Sequence, residues 1–263
     1  MTPQQKTAPA DMILAVENLS KAFQGLQALA PLSFRIENGI TAFIGPNGAG
    51  KTTLFNLLSG IYAPSSGSIR HRGDDITSLP VAERARRGIQ RTFQNLQIFF
   101  RMSALENVMV GASPRLRMGL PSSLLSAPAI RRETREIRDR AAALMAEVGL
   151  SDFIGHAADA LPYGALKRLE LARALAASPE ILMLDEPAAG LNPRETAEID
   201  EVIRRIVDRG IAVLLVEHDM KLVMAISGRI VVLDHGKCIA DGPPQQVRAD
   251  PGVIRAYLGA EGP

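Results

Sequence analysis

Two clusters in this chain have the residue types and order needed to handle a nucleoside triphosphate. The first, Gly45-Pro46-Asn47-Gly48-Ala49-Gly50-Lys51-Thr52, fits the pattern G-x4-G-K-[ST]. Glycines free the backbone N–H groups to curl round a β-phosphate and aim it at a helix N-terminus. Lys51 sets a cation against the β- and γ-phosphates, and the Thr52 hydroxyl is a Mg²⁺ ligand. The second cluster is Ile181-Leu182-Met183-Leu184-Asp185-Glu186, an apolar strand ending in two acids. Buried strands rarely end in adjacent carboxylates without something to neutralise them. Asp185 suits Mg²⁺ held through water, and Glu186 suits polarising the water that attacks a γ-phosphate. Alone, each cluster has a plain alternative, a flexible glycine turn or acids at a strand–loop junction. Together they read as two parts of one triphosphate site.

The elements that must position them can be read from periodicity. Short strands joined by turns fit residues 12–44, and the run Ile40-Thr41-Ala42-Phe43-Ile44 leads into the glycine loop. A helix follows from Lys51 to Leu58. Residues 112–128 hold three prolines and read as a loop or irregular insertion. Ile137, Ala141, Leu144, Met145 and Val148 recur at helical spacing, so 129–148 is an amphipathic helix with Arg131, Arg132, Arg135, Arg138 and Arg140 on its solvated face. Helices over about 164–177 and 194–208 then alternate with strands at 181–184 and 211–216. This alternation predicts an α/β chain with a mainly parallel sheet. Ile230–Leu233 and Lys237–Ala240 flank Asp234-His235-Gly236 as a hairpin.

Bulk properties give no reason to propose several classes. Thirty basic and 28 acidic side chains leave a formal charge of +2, no footprint of a nucleic-acid-binding face. The lone Cys238 forms no internal disulfide and fits no zinc spacing; it reads as a small core or edge residue. The first ten residues read as disordered and lack a signal peptide's apolar segment. No stretch approaches the roughly 20 apolar residues of a membrane-crossing helix. The expectation is a chain that works in the cytoplasm and needs other chains to cross a membrane.

From about Ile13 to Gly259 the chain resembles ABC transporter ATPases. That family orders a nucleotide loop, a glutamine loop, a signature, an acidic strand and a switch histidine. The matching segments here are Gly45–Thr53, Gln94 in Arg91-Thr92-Phe93-Gln94-Asn95, Leu161-Pro162-Tyr163-Gly164-Ala165, Ile181–Glu186 and His218. The resemblance implies a P-loop NTPase core with an antiparallel β subdomain and an α-helical subdomain inserted at about 95–165, all in one ABC ATPase domain over 11–263. It also implies a nucleotide sandwich, each ATP lying between one chain's phosphate loop, through Thr53, and the other chain's signature. Gln94 would touch Mg²⁺ and report the nucleotide state, with Asp185 and Thr52 as further metal ligands. His218 would contact the γ-phosphate, and Phe23 would stack on adenine. Taken alone, Phe23 reads as a core or edge aromatic and His218 as an ordinary strand-end histidine.

Two positions depart from the family pattern. The usual Leu-Ser-Gly-Gly-Gln signature is here Leu161-Pro162-Tyr163-Gly164-Ala165, so Pro162 brings neither a hydroxyl nor an N–H. Asn192 stands where an aspartate is usual. Both changes predict that an ATP site using this chain's signature is the weaker of a pair. Glu186–Pro193, Glu217-His218-Asp219-Met220 and Val253–Gly259 are similar to the larger ATPase subunit of branched-chain amino-acid importers. The implied partners are a second ATPase subunit (identical or not), two membrane permeases and, indirectly, an external solute-binding protein, at the cytoplasmic face of the inner membrane. Urea, amides or aromatic acids are the alternative cargoes. A nucleic-acid-linked ABC ATPase would carry long coiled coils or tandem cassettes, absent here. A nucleotide-sensing regulator is disfavoured by Lys51, Asp185, Glu186 and His218.

Overall fold

The computed structural model describes residues 12–92, 95–112 and 127–258, with the side chains of all but 127–130 and 258. The N-terminal ten residues, Gln94 and most of the 112–128 segment therefore lie outside the described residues. In chain order the elements are β1 (Leu14–Phe23), β2 (Leu26–Ile36), β3 (Ile40–Ile44), α1 (Lys51–Ser59), β4 (Ser66–His71), β5 (Asp74–Asp75), α2 (Val81–Arg86), β6 (Ile89–Arg91), α3 (Ala104–Gly111), α4 (Ala127–Glu147), α5 (Tyr163–Ala176), β7 (Ile181–Asp185), α6 (Pro193–Asp208), β8 (Ala212–Val216), α7 (Met220–Ile226), β9 (Arg229–Asp234), β10 (Lys237–Gly242), α8 (Pro244–Ala249) and α9 (Pro251–Leu258). They form two compact units, Met1–Arg84 with Val207–Pro263, and Ala85–Ile206.

In the first unit, β2, β1, β4 and β5 make an antiparallel sheet in that order. Along β2, buried Leu32, Phe34 and Ile36 alternate with exposed Pro31, Ser33 and Arg35, so one face is buried and the other solvated. A parallel set follows different rules. β3 and β8 are buried at every position and pair in parallel, and β9 pairs with the other edge of β3. Continuous apolar runs suit strands covered on both faces. β10 returns antiparallel beside β9 through His235 and Gly236, at φ 44° and 75°. Two successive positive φ angles match the twist of a tight hairpin. Cys238 lies exposed on β10, and partial desolvation of its thiol with the nearby Asp241 charge pushes its pKa up, the reverse of a reactive thiolate.

The core of this unit runs through Phe34, Phe43 and Phe55, whose rings meet edge to face at 5.3 and 6.1 Å. It fixes α1 against β2 and β3. The far end of α1 is held by Arg84, a residue that periodicity did not single out. Only 1% exposed, Arg84 donates to the carbonyls of Leu57 and Leu58 at 2.7 and 2.8 Å, of Thr77 at 2.8 Å and of Leu79 at 3.0 Å. A cation on the last carbonyls of a helix satisfies orphan acceptors and complements the helix dipole. Burial pulls its pKa down to about 10, which leaves it charged at neutral pH.

The second unit pairs β6 with β7 in parallel and is otherwise helical among its described residues. The expected insertion at about 95–165 falls inside its range. On α4, Ala141, Leu144 and Met145 are buried, as is Val148 just after its end, while the arginines face solvent, and Arg132 pairs with Glu136 one turn on at 2.9 Å. On α6, Ile199, Val202, Ile203 and Ile206 are buried and Val207 half-buried. Helix α3 starts with a full capping box between Ser103 and Glu106. Parallel strands with helices, plus a separate antiparallel sheet, are the α/β organisation expected of an ABC ATPase.

Candidate nucleotide site

The glycine loop runs from the end of β3 into α1, and its conformation is forced by backbone crowding. Gly45 has φ 149°, and a Cβ there would sit 2.0 Å from the Leu233 carbonyl oxygen of β9. Gly50 has φ 102°, and its Cβ would meet the Ala28 oxygen at 2.9 Å. Only glycine fits either place. The β9–β10 turn locks the loop from outside: the Gly236 N–H donates to the Ala49 oxygen at 3.1 Å, and the Ala30 N–H donates to the Gly236 oxygen at 2.8 Å.

Helix α1 begins at Lys51 with Gly50 at its N-cap and no side-chain cap. Its first N–H groups therefore open toward an anion rather than toward a serine or aspartate of this chain. The Lys51 ammonium folds back on the loop, donating to the oxygens of Gly45 at 2.6 Å and Pro46 at 2.9 Å. It thus lies within the cradle. Asn47, Gly48 and Thr52 are exposed, Pro46 and Thr53 half-buried, and Ala49 buried. Cradle, cation and exposed hydroxyl fit a Mg²⁺-triphosphate, whose metal keeps water and phosphate oxygens and takes few protein ligands. Among the described residues no group of three or more acidic, histidine or cysteine side chains could hold a metal ion.

Phe23 ends β1 and is 38% exposed, its ring edge-on to Tyr62 at 5.3 Å with the Lys21 ammonium 4.9 Å above it. It is thus a partly exposed surface aromatic, not a core residue. His218 follows β8 with its side chain 69% exposed. Its organiser is Glu217, which sequence reasoning passed over. The Glu217 carboxylate is 1% exposed; its Oε1 accepts from the His218 and Asp219 N–H groups at 2.9 and 3.3 Å and lies 3.1 Å from His218 Nδ1. Asp219 then caps α7, accepting from Lys221 and Leu222. The apolar strand shows where the turn starts; it does not show that the first acid points inward.

In the second unit, Asp185 is the last residue of β7 and is buried. The Arg91 guanidinium, from the neighbouring β6, donates to Asp185 Oδ2 at 2.8 Å, and both side chains are 8% exposed. The neutralising partner is therefore a protein cation 94 residues away in sequence. Glu186 turns the chain with φ 51°, unusual for a residue with a side chain. Leu161 is buried. Pro162 takes the N-cap position of α5 with no side-chain cap, its carbonyl accepting from Leu166 at 3.0 Å. Tyr163 is 45% exposed, whereas Gly164 and Ala165 are buried. A Cβ on Gly164 would meet Glu195 Oε1 at 2.6 Å, so the chain's own carboxylate lies against that helix start. Asn192 has a structural job: its Oδ1 accepts from the Arg194 and Glu195 N–H groups at 3.0 Å, and its own N–H donates to Glu195 Oε2 at 3.0 Å.

Known proteins resemble this chain in sequence and fold. The ABC transporter family profile matches residues 29–189, and a branched-chain amino acid ATP-binding cassette transporter profile matches residues 237–263. The high-affinity branched-chain amino acid transport ATP-binding protein BraF of Pseudomonas aeruginosa is 47% identical over 94% of this chain and 98% of its own length. LivG of Escherichia coli, described in the same words, is also 47% identical over 94% of this chain and 98% of its own. Among solved structures, the ADP conformation of MJ1267, an ATP-binding cassette of an ABC transporter, has a TM-score of 0.82 at 30% identity, covering 94% of this chain and 99% of that one. The dimeric cassette MJ0796 shares the fold with a TM-score of 0.74 at 23% identity, over 88% of this chain and 99% of its own. This chain belongs to the ATP-binding cassette family, among the branched-chain amino acid transport ATP-binding proteins.

Proposed function

We propose that this chain hydrolyses Mg²⁺-ATP to drive import of branched-chain amino acids through membrane permeases. The observation that carries it is the uncapped start of α1 at the end of a loop where Gly45 and Gly50 leave no room for a side chain of their own, with the Lys51 ammonium folded into the cradle. No helix among the described residues is long and apolar enough to cross a membrane, so permease subunits supply the path. The chain is peripheral to the inner membrane on its cytoplasmic face, and the solute meets an external binding protein first. Lys51 and the backbone N–H groups of 48–53 hold the β- and γ-phosphates, and the exposed Phe23 ring stacks on adenine. Thr52, Asp185 and Gln94 are the residues toward Mg²⁺, which supplies charge neutralisation at the phosphate oxygens.

The chemical work left to the protein is positioning and proton handling. Glu186 orients and polarises the attacking water, and His218 on its Glu217 anchor faces the γ-phosphate. A second cassette completes each site by presenting 161–165 to the opposite nucleotide. Glu186→Gln removes the base while keeping shape, so ATP turnover should fall about a hundredfold or more with nucleotide binding intact. ATPase assays beside a fluorescent-nucleotide titration measure both; wild-type turnover would refute the role. Where the partner cassette is a different chain, the same change in each chain should cost unequal turnover, because Pro162 and Ala165 weaken one site. Equal losses would refute the inequality.

A further inference from the structure

The start of α5 is fastened at three points to the turn that carries Glu186. The Lys167 ammonium donates to the Glu186 carbonyl oxygen over 3.4 Å. The Tyr163 hydroxyl donates to the Ala189 oxygen, also over 3.4 Å. The face of Gly190 lies on the Tyr163 ring, so that a Cβ there would be 3.2 Å from Cε1. Lys167 is 3% exposed, and its ammonium lies 5.9 Å from the Tyr163 ring centre. An ammonium that deep is costly unless something compensates it. The acceptor it meets belongs to a residue held at φ 51°, in a region that side chains avoid.

We infer that Lys167 is a positioning residue: it holds the Glu186 backbone in its left-handed conformation and ties the setting of that carboxylate to the position of the signature end of α5. The inference rests on the roles proposed above for Glu186 and for 161–165. In that arrangement α5 meets the partner's nucleotide while Glu186 serves its own chain's nucleotide. The link therefore runs inside one chain between two different ATP sites. Closure on one nucleotide bears on the carboxylate aimed at the other. Plain packing does not account for the residue type, because a buried apolar side chain fills such a position at least as well as a cation. Nor does the carbonyl need Lys167 to avoid being orphaned, since the Ala189 N–H also donates to it at 3.2 Å.

The test compares Lys167→Met with Lys167→Arg in the transporter assembled with its permeases, reading kcat, KM for ATP and melting temperature. Lys167→Met should lower kcat about tenfold, as a slightly misplaced reacting group does, with KM changed less than about twofold and no fall in melting temperature. Lys167→Arg, which restores a cation, should recover most of the lost kcat. Wild-type kcat in Lys167→Met would overturn the link, as would equal kcat losses in both variants with lowered melting temperatures, the mark of a packing role. Glu186→Gln is run alongside. If it keeps wild-type turnover, the role of Glu186 itself fails and the inference falls with it; if it is inactive, the Lys167 pair judges the link alone.

Discussion

The glycine loop in the first unit and the acid turn in the second are both sharp bends after buried strands, yet they are held in opposite ways. The loop is shaped by main chain pressing on main chain: Gly45 against the Leu233 carbonyl, Gly50 against Ala28, Gly236 donating to Ala49. The acid turn is shaped by side chains that reach in from elsewhere: Arg91 to Asp185, Lys167 to Glu186, Tyr163 to Ala189 and Gly190. A loop built on absent side chains tolerates almost no substitution at its crowded points, Gly45 and Gly50. A turn built on present ones fails by degrees, and partners can be exchanged.

The largest effect expected from this contrast is at Gly45. Gly45→Ala drives a methyl group to 2.0 Å from a backbone oxygen that a strand holds in place. It should cost more than about 4 kcal/mol, the range of severe single changes, and abolish nucleotide binding. Gly48 is the control, because a Cβ there meets nothing within 4 Å and only its φ of 79° resists. Gly48→Ala should cost about 1–2 kcal/mol, the penalty of the left-handed region. Urea unfolding of both variants measures the gap. Equal losses would show that conformation rather than crowding shapes the loop.

Next in size is the Arg91–Asp185 pair. Arg91→Met takes this partner from a nearly buried carboxylate and should destabilise the chain by about 3–5 kcal/mol. The double variant Arg91→Met with Asp185→Leu removes both charges and should regain most of that loss, since an apolar pair of similar volume often replaces a buried ion pair without cost. Denaturant midpoints of the singles and the double complete the cycle. Additive losses would mean that the pair does not couple and that the acid turn, like the glycine loop, depends on its backbone.

The same contrast explains what was legible in the sequence. Gly45 and Gly50 were readable because backbone crowding admits one residue type there, and Lys51 because it stands at a fixed spacing after them. Strands β3, β7 and β8 were readable as continuous apolar runs, because they are buried at every position, and helices α4 and α6 because burial of one face imposes a period on them. Arg84, Arg91, Lys167 and Glu217 were not. Each is a charged residue turned inward, and the partner that makes this tolerable is a carbonyl or carboxylate that spacing does not reveal. Arg91 lies 94 residues from Asp185, and Arg84 lies 27 from the Leu57 carbonyl it caps. Elements shorter than two helical turns, such as α2, α7 and α8, also went unread, having too few residues to show a period. The departures at Pro162 and Asn192 were visible as letters, but their local roles needed the backbone.

Asn192 offers the smallest and most discriminating test, because it separates holding a turn from doing chemistry. Its side chain accepts from two N–H groups at the start of α6, and Glu195 returns the bond to the Asn192 N–H. This reciprocal cap joins the end of the acid turn to α6. Asparagine and aspartate cap helices about equally well, so Asn192→Asp should leave stability within about 0.5 kcal/mol, whereas Asn192→Ala should cost about 1 kcal/mol. If capping is all that Asn192 does, turnover should follow stability, unchanged in the aspartate variant and slightly reduced in the alanine one. A rise in turnover with Asn192→Asp, at constant melting temperature, would overturn that and show that the residue the family usually carries there serves hydrolysis directly. The acid turn would then be held by its side chains for more than shape, a property that the glycine loop, with no side chains at its tightest points, cannot share.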